Sequence, residues 1–155
     1  MTKRSFNLKL AALIPALLLT VLSVSVVYGG LRWSGIDPEI SLDDHTLNVT
    51  AQWRSENLCA VNGPITIDVY HPAGVVANVE NESSASCVNA EGETVTLATV
   101  TNTHPTKSKK VRVTGTVNSS QKMRARLLVE LDGKNIRTCK GKTNKLIKCK
   151  KFKLK

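Results

Sequence analysis

The chain is poor in aromatic residues. Its 155 residues include two Phe, two Tyr and two Trp, so a hydrophobic core must be built mainly from Val, Ile, Leu and Ala. The same scarcity leaves few rings on which a base or a sugar could stack. A ligand site based on stacking is therefore disfavoured, and nucleic acid is a disfavoured partner for the same reason.

The sequence also lacks the motifs that mark common active sites. It contains no Gly-x-Ser-x-Gly, no His-Glu-x-x-His and no glycine-rich loop for phosphate. His45 follows two aspartates and begins a predicted strand, a place where Asp and His commonly form turn hydrogen bonds, and His71 and His104 each precede a proline. We therefore predict a protein that is not an enzyme and has no cofactor. A hydrolase would require one of these histidines to meet a carboxylate in the fold.

No Cys-x-x-Cys pair occurs, and no histidine is close to a cysteine in the sequence, so a metal site is not expected. The cysteines instead predict disulfides, because their number is even and they all follow an apolar segment that would export them. Four cysteines allow three pairings. We favour the two pairs that close local loops, Cys59 with Cys87 and Cys139 with Cys149.

One long run without charge is present, from Leu10 to Leu31. A helix of this length spans roughly 33 Å, enough to cross a bilayer core of about 30 Å, and the basic residues before it keep the N-terminus in the cytoplasm. A cleaved signal peptide is the alternative, and both interpretations export the rest of the chain. We predict a cytoplasmic n-region (1–9), a transmembrane signal-anchor (10–31), a linker (32–44) and a periplasmic or extracellular domain (45–155).

The exported part alternates apolar and polar residues with period two. The alternation is clearest at 45–54, and it recurs along the chain without an intervening helical period. It predicts an all-β ectodomain, an antiparallel β-sandwich of the immunoglobulin-like or Greek-key type. We expect loops at 80–94 and 102–109, and a β-bulge where the alternation slips at 95–100.

The stretch 111–131 is predicted to form a hairpin with a five-residue loop, in which Val113 lies opposite Leu127. This register forms a basic ladder on the outer face from Arg112, Arg124 and Arg126. Asp132-Gly133 is a strong turn signal. Beyond it, a Cys139–Cys149 disulfide would join the two arms of a second hairpin.

Charge is divided between the two halves of the domain. Residues 37–93 include ten acidic residues and one basic residue, whereas residues 107–155 include seventeen basic and two acidic residues. The halves either interleave in the fold and neutralise each other, or leave a basic surface for an acidic partner. Terminal lysines either protect an edge strand from aggregation or bind anions. The predicted basic binding face consists of Arg112, Arg124, Arg126, Lys140, Lys142, Lys145, Lys148, Lys150, Lys151, Lys153 and Lys155.

These features predict a non-catalytic, membrane-anchored interaction protein that serves as an accessory or assembly subunit of a membrane or envelope complex. The expected partners are the membrane, crossed once, and an acidic protein or membrane-complex subunit. The alternative is a binding module for a polyanion, meaning an acidic glycan, anionic lipid, lipopolysaccharide or DNA, that uses the basic C-terminal half. The two functions differ in how strongly binding should depend on salt.

Overall fold

The computed structural model describes residues 33–55 and 58–155, which form eleven β-strands and one turn of 3₁₀ helix at Leu58–Ala60. The strands are β1 (Trp33–Ile36), β2 (Glu39–Leu42), β3 (His45–Arg54), β4 (Ile65–Pro72), β5 (Ala77–Asn81), β6 (Ser84–Val88), β7 (Thr94–Thr106), β8 (Arg112–Val117), β9 (Arg124–Leu131), β10 (Lys134–Lys142) and β11 (Ile147–Lys148). The predicted all-β class is confirmed. The predicted transmembrane segment lies outside the described residues, and within those residues no helix is long and apolar enough to span a bilayer.

The strands form two sheets. The first has the order β10-β9-β3-β2-β5, with β1 also pairing with β3, and the second has the order β11-β8-β4-β7-β6. Every pair is antiparallel except β4 and β7, which run parallel. The prediction of an entirely antiparallel sandwich was wrong at this pair. Alternation identifies the buried face of a strand but carries no information on the direction of the strand. The segment that contains β5 and β6 is the long connection that a parallel pair requires.

A single hydrophobic core is built from both sheets. In β3 the inward side chains are fully buried, and they include Trp53, the largest buried side chain. As the composition predicts, most of the remaining core is aliphatic. Its members include Leu47, Val49, Ile65, Ile67, Val69, Val113, Val117, Leu127 and Val129.

Residues 33–44 were predicted as part of a linker, and this was wrong. β1 pairs with the C-terminal half of β3 and β2 with its N-terminal half, so together they form one strand interrupted at Asp37-Pro38. Ile36, Ile40 and Leu42 are buried in the core. The interruption divides the alternation into two short stretches, each too short to be recognised as a strand.

The predicted 111–131 hairpin does not form. β8 pairs with β4 and β11, whereas β9 pairs with β3 and β10, so the two strands belong to different sheets. Val113 and Leu127 are both fully buried, as expected, but they enter the core from opposite sides. Alternation predicts which side chains point inward and does not identify the strand that pairs with them.

Two predicted loops are largely strand. Residues 80–94 contain the end of β5 and all of β6, and β7 continues through Thr106. No register shift occurs along β7, so the predicted bulge is absent: Leu97 and Thr99 point inward and Val100 points outward. Thr99, Thr101 and Thr103 occupy inward positions of β7, which lies next to the edge strand β6.

Both favoured disulfides are present. Cys59–Cys87 joins the 3₁₀ turn to β6. Cys139–Cys149 joins β10 in the first sheet to the residue after β11 in the second sheet. The two arms expected to pair as a hairpin are therefore in different sheets, and the disulfide connects the sheets at one edge.

Candidate functional site

The acidic and basic halves of the chain lie at opposite edges of the sandwich. β5 and β6 form one edge and β10 and β11 form the other. Residues 77–95 include four Glu and no Lys or Arg, whereas residues 134–155 include ten Lys or Arg and no Asp or Glu. In the described part of the chain the only ion pairs join His to Asp, so no Lys or Arg is neutralised by a carboxylate. The basic charge remains available to a partner.

A pocket of about 590 Å³ lies at the basic side of the molecule, and we call it the basic pocket. Three segments converge on it: the loop before β8, the β9–β10 turn and the C-terminal residues. Six cationic side chains line it, namely Lys110, Lys134, Arg137, Lys151, Lys153 and Lys155. Apolar side chains of Leu131, Ile136 and Phe152 complete the walls.

The β9–β10 turn positions two of these cations. Asp132 and Gly133 both have positive φ, of 51° and 74°, as a two-residue type I′ hairpin turn requires. A register shift between Asn135 and Arg137 then adds one residue to β10. Lys134 lies opposite Leu131 and Arg137 opposite Val129, and because opposite residues share a face, both cations project on the inner side of the sheet.

The C-terminal segment supplies the opposite wall. Phe152 exchanges two backbone hydrogen bonds with Val111, at 2.8 and 3.0 Å, and its side chain is buried. Lys151 and Lys153 flank this anchored residue, so their side chains extend from a fixed backbone position. The terminal lysines are therefore part of the folded domain at this point.

One carboxylate lines the pocket, and it already has partners. Asp132 Oδ2 lies 2.8 Å from His45 Nδ1, and Asp132 Oδ1 accepts a hydrogen bond from the Thr46 amide at 3.0 Å. The bond to His45, and then that to Thr46, holds the pKa of Asp132 below its usual value. Asp132 therefore stays ionised, but it is fixed in the turn and leaves a strong cationic excess around the pocket.

Arg137 has unused hydrogen-bonding capacity. Its Nη1 donates to the carbonyl of Ile136 at 2.7 Å, whereas its Nε is buried without a hydrogen-bond partner. A buried donor that lacks a partner costs about 1–3 kcal/mol. Because this Nε has no exposed surface, an anion in the pocket could accept its hydrogen bond only after the guanidinium turned, and Arg112 Nε and Trp53 Nε1 are buried without a partner in the same way.

A second basic surface lies on the exterior of the first sheet, and we call it the basic outer face. It consists of two directly opposed pairs of like charge on β9 and β10, Arg126 with Lys140 and Arg124 with Lys142. Arg126 donates to Gln52 Oε1 at 2.8 Å, and its guanidinium lies 3.9 Å from the centre of the Trp33 ring. Like charges placed directly opposite destabilise a sheet, so this face is more stable when an anion covers it.

The structure divides the predicted basic face. Arg112 lies on β8, in the other sheet, with its guanidinium 4.6 Å from the centre of the Tyr70 ring. The predicted ladder with Arg124 and Arg126 was therefore wrong, because it depended on the hairpin that does not form. Of the remaining predicted residues, Lys140 and Lys142 lie on the basic outer face, and Lys151, Lys153 and Lys155 line the basic pocket. The side chains of Lys145, Lys148 and Lys150 are exposed around β11.

Three pocket cations were missed by the sequence prediction: Lys110, Lys134 and Arg137. The turn signal at Asp132-Gly133 could have placed Lys134 beside Leu131. For Arg137 the sequence gives no such signal, because its inward direction results from the extra residue in β10.

Two histidines meet carboxylates, the minimum that a hydrolase would need. His45 pairs with Asp132, and His104 Nε2 lies 2.9 Å from Asp68 Oδ1, with the Tyr70 ring stacked on His104. Across residues 33–55 and 58–155, neither imidazole has a hydrogen bond to a Ser, Thr or Cys side chain. Both pairs connect neighbouring structural elements, and neither pair includes a hydroxyl or thiol that the histidine could activate as a nucleophile.

The third histidine is buried, and His71 Nδ1 lies 3.0 Å from the carbonyl oxygen of Pro72. In the same described residues, no group of three or more His, Cys, Asp and Glu side chains is arranged to hold a metal ion. Among the described residues, the charged side chains that converge on one place are the Lys and Arg side chains of the basic pocket.

Comparison with known proteins adds no relative from which a function could be transferred. No family model, curated protein or solved structure matches the chain. The basic pocket and the basic outer face are therefore the features on which a function can be based.

Proposed function

We propose that this chain is a non-catalytic, membrane-anchored extracytoplasmic protein whose β domain binds a polyanion. The observation that carries the proposal is the convergence of six Lys and Arg side chains on one pocket whose single carboxylate is already hydrogen-bonded. The opposed like charges of the basic outer face support it. A bound anion would reduce the repulsion between the like charges of the pocket and of the basic outer face.

The export of the domain is supported by two independent features. Two disulfides indicate an oxidising compartment. The uncharged run at 10–31 has the length of a transmembrane helix, and its basic flank favours a cytoplasmic N-terminus. A signal-anchor at this position would hold the β domain close to the outer surface of the membrane.

The pocket favours an acidic glycan or an anionic lipid headgroup over nucleic acid. Lysine predominates among its cations, and lysine supplies charge without the planar donor fork that reads bases. Its one aromatic side chain, Phe152, is 7% exposed and offers no ring for base stacking. Near an anionic surface each close lysine contributes about 1 kcal/mol to binding.

A second candidate is the accessory-subunit function, in which an acidic or apolar protein surface is the partner. It is favoured by two exposed valines on neighbouring strands, Val88 of β6 and Val100 of β7, which are 60% and 51% exposed and lie at opposite ends of the β6–β7 pairing. A protein bound through these residues would be retained at high salt, because burial of apolar surface is not screened.

The test uses the full chain in discs of neutral lipid, with heparin and detergent-free phosphatidylglycerol vesicles as separate probes. The variant Lys151→Gln/Lys153→Gln/Lys155→Gln removes three pocket charges, and Lys107→Gln/Lys109→Gln is the control on an exposed loop. We expect the triple variant to weaken binding by about 100-fold at low salt and to reduce the dependence of binding on salt. The control should change both by less than about threefold.

The two probes separate the two anion sources, since a glycan site binds heparin more tightly and a headgroup site binds the vesicles. Wild-type affinity that does not fall with salt, or a control as weak as the triple variant, would contradict polyanion binding at the pocket. Purification from the native membrane at high salt then tests the second candidate, which requires defined protein subunits to remain bound.

A further inference from the structure

The edge of the sandwich opposite the basic pocket is open and negatively charged. Within residues 33–55 and 58–155, β5 pairs only with β2 and β6 only with β7, so each has one side without a neighbouring strand, and the 3₁₀ turn is joined to β6 by the Cys59–Cys87 disulfide. Four exposed glutamates surround this edge, and we call the set the acidic edge: Glu80, Glu82, Glu91 and Glu93. β6 itself, with the sequence Ser-Ala-Ser-Cys-Val, has no charge or proline to block the approach of another strand.

The opposite edge is also open. Among the described strands, β10 pairs only with β9, and β11 only with β8. Exposed lysines at and between these strands form what we call the basic edge: Lys140, Lys142, Lys145 and Lys148. Leu146, at the tip of the turn, is 53% exposed and gives this edge an apolar contact as well.

The charges of the two edges permit only one way for two copies to meet edge to edge. Two basic edges repel each other, as do two acidic edges, whereas an acidic edge and a basic edge attract. This excludes a symmetric dimer through either edge and leaves a head-to-tail contact between different surfaces. Such a contact does not close after two copies, because each copy still has one free edge.

We propose that a second copy of this chain is the partner of the acidic edge, and that it docks there through its own basic edge. Repetition of the contact gives a row of sandwiches side by side. Neighbours in a row related by translation all present Trp33, the first described residue, at the same end of the sandwich. A row is therefore compatible with chains that all enter from one membrane. The inference uses no residue of the basic pocket, and its basic edge shares Lys140 and Lys142 with the basic outer face.

The test measures the mass of the full chain in detergent by sedimentation velocity, at rising protein concentration and at low and high salt. Glu80→Lys/Glu91→Lys changes the acidic edge, and Lys145→Glu/Lys148→Glu changes the basic edge. These four side chains are exposed, and none of them makes a side-chain hydrogen bond in the described residues. Lys107→Glu/Lys109→Glu is the control, because it changes net charge as much as the second variant but lies on the β7–β8 loop.

We expect the wild type to form species larger than dimers at low salt and to dissociate at high salt. Each edge variant should weaken self-association about tenfold, since two surface charges are reversed, and the loop control should leave it unchanged. An equimolar mixture of the two edge variants should recover association as far as dimers, because the unaltered basic edge of the first variant meets the unaltered acidic edge of the second.

A wild type that stays monomeric at low salt and high concentration would overturn the proposal, as would a symmetric dimer that does not grow. Equal loss in the loop control would assign the effect to net charge. Heparin binding measured on the same edge variants distinguishes the two proposals, because retained heparin binding with lost self-association leaves the pocket function intact.

Discussion

Replacing Lys142 by Glu is expected to stabilise the domain. Lys142 lies directly opposite Arg124 across β9 and β10, on the basic outer face. If the two charges are about 6 Å apart in water, Coulomb's law gives about 0.7 kcal/mol of repulsion, and reversal of one charge turns this into an equal attraction. Screening at 0.1 M salt reduces the total change of about 1.4 kcal/mol to about 0.8 kcal/mol, and 1 M salt reduces it to about 0.2 kcal/mol.

The assay is equilibrium urea unfolding of the full chain in detergent at these two salt concentrations. Lys142→Gln should give about half of the stabilisation, since it removes the repulsion without adding attraction. Lys107→Glu is the matched control, because Lys107 is exposed and makes no cross-strand pair. A Lys142→Glu variant that is less stable than the wild type in 0.1 M salt, or equally stabilised in 1 M salt, would refute the reasoning. The same variant should bind heparin more weakly, so that stability and binding change in opposite directions.

Three further predictions follow from the turn, the core and the disulfides. The pKa of Asp132 is lower in the folded state than its ordinary value of 3.8. Its contribution to stability is therefore present above that value and is lost as the pH falls through the folded pKa. Asp132→Asn, which suits the positive φ, should reduce the dependence of the thermal unfolding temperature on acid pH, and an unchanged pH profile would contradict this. A Cβ at Gly141 would lie 2.6 Å from Ile147 Cγ1, whereas one at Gly74 would meet nothing within 4 Å, so Gly141→Ala should lower the free energy of unfolding by about 1–3 kcal/mol and Gly74→Ala should not. The disulfides close loops of 28 and 10 residues. Chain entropy then predicts that Cys59→Ala/Cys87→Ala lowers the free energy of unfolding by about 3.6 kcal/mol and Cys139→Ala/Cys149→Ala by about 2.7 kcal/mol. The opposite order in urea unfolding would show that native contacts of the second disulfide outweigh loop entropy.

The sequence was a reliable guide to burial and a poor guide to pairing. β3 was predicted with its observed limits, His45–Arg54, and with the correct inward face, because a ten-residue alternation has one interpretation. Val113 and Leu127 were correctly predicted as core residues and wrongly predicted as neighbours. In a sandwich, consecutive strands with the same alternation can pair within a sheet or face each other across the core, and local pattern does not distinguish these arrangements.

The candidate site was predictable as a composition and not as a geometry. The lysines of the C-terminal segment were identified from their density, and three of them do line the pocket. Their grouping with Lys110 depends on the Val111–Phe152 bridge, a contact between residues 41 positions apart, and the direction of Arg137 depends on a one-residue shift in β10. Neither a long-range backbone contact nor a bulge has a signal in the residues that surround it.

The Cys139–Cys149 bond determines how the domain carries mechanical load. A ligand that pulls on Lys151 or Lys153 applies force to the chain just beyond Cys149. The noncovalent route into the fold consists of the two backbone hydrogen bonds of Phe152 with Val111 and the two paired residues of β11 with β8, whereas the disulfide passes the force to β10, which has eight paired residues with β9. The C-terminal lysines can therefore hold a tethered partner without unzipping β11, and reduction of this one bond would convert a firm attachment into one that yields under tension.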